Sequence, residues 1–231
     1  MEKGLGIVMG KEIDLTNEHK FGENTGLTSS GYESVWSAGG LYPWSEFDGG
    51  AVTLYLISTS TSDTAEVNIV GLDANLLPQQ ETITLTGTTA VVSTKQFRRV
   101  FRLTYTDTIN AGIITARTVS GTGTVVAQID ANNGQSTMAV YTVPLNSKGY
   151  LSSITVGTGK NDDASIKVLA RNYGDTNFRI LNQVKSYQST TVQPFPVPLF
   201  LAPGTDIDVQ AISQAANSAC IVNFDVILDK V

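Results

Sequence analysis

Residues 220–228 read Cys-Ile-Val-Asn-Phe-Asp-Val-Ile-Leu. Cys220, Val222, Phe224, Val226 and Leu228 share one side of the chain if it is extended, because successive strand side chains point to opposite faces. The same period of two recurs upstream. In Asp206–Ile212 it sends Ile207, Val209 and Ala211 inward and Asp206, Asp208 and Gln210 outward. In Ser165–Arg171 it groups Ile166, Val168 and Ala170. These stretches predict half-buried antiparallel strands. Cys220 then reads as a small buried hydrophobe, not a nucleophile. As the single cysteine it excludes an intrachain disulfide.

The pattern continues toward the N-terminus. Strands are predicted over Ala51–Ser58, Thr64–Leu72, Glu81–Thr86, Ala90–Thr94, Phe97–Thr106, Thr122–Ile129, Thr137–Val143, Tyr150–Val156, Asn177–Tyr187 and the run from Phe195 to the turn at Ala202-Pro203-Gly204. Pro194, Pro196 and Pro198 withhold ladder donors, which assigns their stretch to a sheet edge or a long corner. Asn133-Gly134, between two predicted strands, reads as a hairpin turn. No segment carries the i, i+3, i+4, i+7 pattern of an amphipathic helix. The expected fold is an all-β antiparallel sandwich, a jelly roll before two smaller sandwiches. The body covers residues 49–231, and a sub-boundary would fall near residues 108–122. Residues 1–48 lack the alternation, are rich in glycine and hold both tryptophans. They predict an extended N-terminal docking arm whose anchors are Phe21, Trp36, Tyr42 and Trp44, each needing a pocket on its own domain or on a partner.

The 231 residues suffice for a core without disulfide or metal. Charged residues make up only 16% of the chain, against about 25% in ordinary domains. A surface built instead from Thr, Ser, Asn and Gln suits a protein packed against neighbours. The net charge of −6 disfavours phosphate neutralisation, so no nucleic-acid partner is expected. No stretch approaches a membrane span, and the first residues do not read as a signal peptide.

Reactive chemistry is sparse. His19, the one histidine, reads as a surface residue, since neither a nucleophile triad nor a Cys/His metal site can be assembled around it. Gly157-Thr-Gly-Lys160 resembles the end of a phosphate loop, but Asn161 follows where Ser or Thr is required and Ile154 holds the leading glycine position. Gly4, Gly6 and Gly10 miss the dinucleotide fingerprint because Met9 occupies the third glycine's place. Asp130–Gly134 resembles a calcium loop, but its glycine comes one residue early and no closing Glu follows. The loop at Asn161-Asp162-Asp163 reads as a polar tip. Asp206 and Asp208 would stand about 6.5–7 Å apart on a strand face, near glycosidase spacing, yet alternating Asp reads more simply as a solvated face. No catalytic residue, metal ligand or cofactor is therefore expected.

The run His19-Lys20-Phe21-Gly22-Glu23-Asn24, then Tyr32-Glu33-Ser34-Val35-Trp36-Ser37-Ala38-Gly39-Gly40-Leu41-Tyr42-Pro43-Trp44, resembles a group of structural proteins of tailed phages from aquatic environments. Members read His-Lys-Phe-Gly-Arg-Asn, then Trp-x-x-Gly-Gly; Glu23 here replaces the arginine. Tyr141–Pro144, Pro196–Leu199 and Asp206–Val209 follow the same cadence. The resemblance implies a virion protein assembled in the host cytoplasm, most simply a capsid decoration or cement protein. Its partners would be its own copies, a trimer by analogy, and major capsid or tail proteins. The alternatives are a tail or fibre protein binding host-surface glycan near Tyr173, Tyr187 and Asp162–Asp163, and a carbohydrate-active enzyme using Asp206 and Asp208.

Overall fold

The computed structural model describes residues 14–107, 109–159, 162–215 and 217–231. Gly4, Gly6 and Gly10, and Lys160 and Asn161 of the polar loop, lie outside the described residues. The described chain holds sixteen strands: β1 (Leu15–Leu27), β2 (Glu33–Ser34), β3 (Val52–Ser58), β4 (Glu66–Leu72), β5 (Pro78–Thr84), β6 (Val91–Phe97), β7 (Arg99–Tyr105), β8 (Ile114–Arg117), β9 (Val125–Ile129), β10 (Val140–Thr142), β11 (Ser147–Thr158), β12 (Asp163–Arg171), β13 (Arg179–Tyr187), β14 (Thr190–Leu201), β15 (Asp206–Ser213) and β16 (Ser218–Lys230). One short 3-10 turn covers Trp44–Phe47. The all-β expectation holds.

The strands form two compact units. One joins the residues up to 35 to residues 139–231; the other is residues 36–138. In the first unit, one sheet runs β1-β16-β11-β14 and the other β10-β15-β12-β13, with β2 also paired to β15. First strand beside last, and successive strands passing between two antiparallel sheets except at the β12-β13 pair, is the order of a jelly roll. The alternation in β16 is complete: Cys220, Val222, Phe224, Val226 and Leu228 are buried, while the residues between them face outward. Burying side chains of this size contributes about 1.5–3 kcal/mol each. The proline-bearing β14 is an end strand, as its missing N–H donors require.

The second unit is a seven-stranded sandwich of two sheets, β6-β3-β8-β9 and β5-β4-β7. Its core includes Leu54, Leu56, Val67, Ile69, Phe97, Leu103 and Ile114. The stretch expected as a sub-boundary near 108–122 instead contains β8, an inner strand of this unit. Asn133-Gly134 does not close a hairpin either, because β9 pairs with β8 while β10 pairs with β15. The turn is nevertheless there, with positive φ at Asn132 and Gly134. Asn110 fixes it by accepting from Asn132 N–H through its carbonyl and from Gly134 N–H through Oδ1.

The expected arm is not a free segment. Leu15–Leu27 is a thirteen-residue end strand, antiparallel to β16 from Leu15↔Asp229 to Leu27↔Ser218. Its buried positions are Lys20, Gly22 and Asn24 and, past an irregularity, Leu27, so hydropathy periodicity could not reveal it. Residues 36–48 belong to the second unit. Between them, one jelly-roll strand is built from two pieces. Ser34 lies opposite Gln210 and Val140 opposite Asp208, with the single residue Val209 between. Val35 N–H donates to Val209 O at 2.8 Å, and Val209 N–H donates to Ala139 O at 3.2 Å. Ala139 N–H donates to Val35 O at 2.9 Å. Residues 36–138 thus leave and re-enter within one strand.

Gly22 makes this joint possible. A Cβ there would stand 2.2 Å from Val35 O and 2.3 Å from Ala139 N. Both are backbone atoms that cannot give way cheaply. Gly22→Ala should cost the jelly roll about 3 kcal/mol. Both tryptophans lie in residues 36–138, so tryptophan fluorescence follows that unit and far-UV circular dichroism follows both. The expected urea profile shows an early dichroism transition with an unmoved fluorescence midpoint.

Candidate interaction surface

Of the four expected anchors, three pack into their own unit. Trp36, Tyr42 and Trp44 are buried with Phe47 in residues 36–138. Tyr42 meets Trp36 edge-on at 5.2 Å between centroids and Trp44 at 4.8 Å. The Arg99 guanidinium lies 5.4 Å from the Trp44 ring, a cation–π contact. Trp36 Nε1–H donates to Gly40 O at 3.0 Å. These rings are core, and not open to a partner. Phe21 is separate from them: it sits on β1 of the jelly roll, outward, with its ring 6.2 Å from that of His19.

The strand register arranges the outward face of the β1-β16-β11-β14 sheet in rows. One row runs Phe21, Asn223, Thr155, Val192; another runs Asn17, Ile227, Tyr150, Phe200. Phe200 is 58% exposed and Val192 63%. The Phe200 ring rests against Tyr150 at 5.7 Å. Ile221 is also exposed on this face, and Val197, by the irregular stretch of β14, is 81% exposed. Aromatic and branched side chains thus recur on one solvated sheet face, interleaved with Asn17, Asn223 and Thr155.

Between these two rows, which carry the exposed apolar side chains, lies a polar one. His19 is opposite Asp225, and Asp225 is opposite Ser153. Asp225 Oδ1 is 2.8 Å from His19 Nδ1 and accepts from Asn17 Nδ2 at 3.3 Å; Oδ2 accepts from Ser153 Oγ at 3.0 Å. Burial alone would raise this carboxyl. The hydrogen bonds from His19, Asn17 and Ser153, with the pull of the imidazole, outweigh it and hold Asp225 below the ordinary aspartate range. The three strands are thereby tied together across their outer face.

Asp206 and Asp208 do point away from the jelly-roll core, as alternation predicts, but they are only 3% and 1% exposed. Asp206 Oδ1 accepts from Thr142 Oγ1 at 2.6 Å, and Oδ2 accepts from Arg171 Nη2 at 2.7 Å and Nε at 3.1 Å. Asp208 Oδ2 accepts from Ser34 Oγ at 3.1 Å and Gln210 Nε2 at 2.9 Å. The expected solvated face is thus a closed cross-strand network, and neither carboxylate opens onto a cleft. Cys220 is buried as expected, and desolvation pushes its thiol up to about 12. Among the described residues, no group of three or more His, Cys, Asp or Glu side chains is placed to hold a metal ion.

In the second unit, Asp63 organises the loops at one end of the sandwich. Its carboxylate accepts from Ser58 Oγ at 2.5 Å, Ala111 N–H at 2.7 Å and Gly112 N–H at 2.9 Å. Its backbone O accepts from Gly87 N–H. Burial raises its pKa, and these three bonds together lower it further, to a net value below the ordinary aspartate range. Periodicity carries no trace of this residue, because beside the nearby Ser58 its partners are Gly87, Ala111 and Gly112, distant in sequence.

No family model matches the chain, and no curated protein matches it. Among solved structures it is similar to that of the infectious bursal disease virus Gx strain, at 10% identity and a TM-score of 0.26, over 94% of this chain and 72% of that one. The Gt strain structure gives 10% identity and 0.22, over 94% and 77%. The VP2 subviral particle of the same virus gives 9% and 0.22, over 94% and 76%. Overlaps this loose do not define a shared fold.

Asp63 and Asp225 have folded pKa values below their unfolded ones. Each therefore contributes stability that is full above about pH 4 and is lost as pH falls through the folded value. Asp63→Asn should lower the urea midpoint read by tryptophan fluorescence near neutral pH. The gap to wild type should narrow as pH drops below about 4. Asp225→Asn should behave the same way in the dichroism of the jelly roll.

Proposed function

We propose that the chain is a non-enzymatic structural component of a virus particle, in its finer form a tailed-phage capsid decoration protein that binds its own copies and the shell. The observation that carries this reading is the jelly-roll strand order of the first unit together with the apolar rows on its β1-β16-β11-β14 face. Jelly rolls recur in viral capsid, lectin and cupin domains, so strand order alone does not choose among them. The exposed Phe200, Val192 and Ile221, with the half-buried Phe21, favour association over turnover. The phage resemblance of residues 19–44 agrees with this reading.

A second copy of the chain is the first occupant of that face. In a symmetric pair the same patch meets itself, so the two apolar rows meet their equivalents around the central His19–Asp225 row. A stable contact of this kind covers about 800 Å² on each partner. Its energy concentrates in a few well-packed aromatic and apolar anchors. Many copies on a particle then add avidity to a weak single contact.

Analytical ultracentrifugation of the full chain should give a concentration-dependent oligomer. Phe200→Asp combined with Val192→Asp should shift it to monomer without lowering the melting temperature, since both side chains are exposed. The double variant should also fail to co-sediment with empty particles that bind the wild type. A wild-type chain that stays monomeric up to about 1 mM, and is absent from purified particles, would refute the reading.

A further inference from the structure

A second feature of the jelly roll lies away from the β1-β16-β11-β14 face. A cleft of about 340 Å³ opens where β12 and β13 begin and end, near the lower bound of small-molecule sites at about 300–1,000 Å³. Its lining includes Ser29, Asp163, Ser165, Tyr187, Ile212 and Gln214. The strand register brings them together: Tyr187 is directly opposite Asp163, and Ile212 is directly opposite Ser165. The turn that carries Tyr187 is fixed from both sides. Ser186 Oγ donates to Ser189 O at 2.7 Å, and Gln188 N–H donates to Asp162 O at 2.9 Å.

The side chains of this cleft differ from the other carboxylate clusters of the unit. Asp206, Asp208 and Asp225 are all engaged by neighbours. The side chains of Ser29, Asp163, Ser165, Tyr187 and Gln214 make no hydrogen bond or ion pair with another described residue. These five polar side chains, one of them the Tyr187 phenol whose ring is 58% exposed, therefore border the cleft beside the apolar Ile212 and Ala164.

We propose that this cleft binds a neutral pyranose unit of a saccharide. A pyranose presents an apolar C–H face and a rim of hydroxyls. The Tyr187 ring and Ile212 offer surface for the first. The Asp163 carboxylate accepts from two adjacent sugar hydroxyls, the charge-assisted arrangement that strengthens such bonds. The hydroxyls of Ser29 and Ser165 and the amide of Gln214 both donate and accept, as a polyol requires. Among the described residues the lining holds one carboxylate, Asp163, and no cation, a charge that repels sugars bearing their own carboxylate. One carboxylate is also too few for a calcium site of six to eight oxygens. The proposal does not depend on the assembly reading, because it uses a different surface.

The test is saturation-transfer NMR on the full chain with the methyl glycosides of glucose, galactose, mannose and N-acetylglucosamine, each at about 10 mM, and with a methyl sialoside. Transfer to the ring protons of at least one neutral glycoside is expected. Tyr187→Ala and Asp163→Asn should each weaken it by about tenfold or more. Tyr173→Ala, at an exposed tyrosine outside the cleft, should leave it unchanged, and all three variants should melt with the wild type. Absence of transfer from every neutral glycoside would overturn the proposal. So would transfer from the sialoside alone, or transfer that survives Tyr187→Ala.

Discussion

The contact between Gly22 and the Val35–Ala139 joint governs the jelly roll. At that point one strand is made of two chain segments separated by all of residues 36–138, and a single residue, Val209, hydrogen-bonds to both. A strand broken in this way keeps its ladder only if its ends stay in register. The backbone bond between Ala139 and Val35 supplies that, and so does the antiparallel bridge of Trp36 with Met138 just inside the insertion. Since the insertion's ends are already adjacent, little further entropy is lost in closing the longer chain, because that cost grows only slowly with loop length. The opposing sheet must come close at the same place, and only a residue without a side chain permits it.

The polar interior of the jelly roll follows from this geometry. Beside Gly22 on β1, Asn24 Nδ2 donates to Ser34 O at 3.4 Å and to Glu33 Oε2 at 3.3 Å, while Asn24 Oδ1 accepts from Gly26 N–H at 2.9 Å. Ser34 in turn reaches Asp208 on β15. The first strand, the split strand and the central strand are thus linked by side chains as well as by packing. Lys20 is only 2% exposed on the same inward row. Buried polar groups of this kind add little net stability when paired and cost much when one partner is removed. They fix register, which in a two-sided strand must not slip by one residue.

The two sheets of the jelly roll have different outer faces. The β1-β16-β11-β14 face interleaves apolar rows with a His19–Asp225–Ser153 row, a texture suited to contact with a protein surface. The β10-β15-β12-β13 sheet carries the closed Thr142–Asp206–Arg171 network at one end of β15 and the open cleft by Tyr187 and Asp163 at the other. The proposed association face and the proposed saccharide cleft share no residue.

Elements whose burial is one-sided and local were legible from residue order alone. The alternation in Cys220–Leu228, Asp206–Ile212 and Ser165–Arg171 specified strands and their inward faces, and the prolines at 194, 196 and 198 confined their stretch to a sheet edge or a long corner, of which the fold shows the edge. The buried environment of Cys220 was legible for the same reason. The remaining features came from the folded arrangement of distant segments. β1 turns Lys20, Gly22 and Asn24 inward, so no hydropathy period marks it, and the Trp36–Tyr42–Trp44 cluster finds its pocket in residues far along the chain. Asp206 and Asp208 looked solvated because their cover lies in Thr142, Arg171 and Ser34, distant in sequence. Periodicity records which side of a strand is apolar; it holds no record of which remote segment comes to lie upon it.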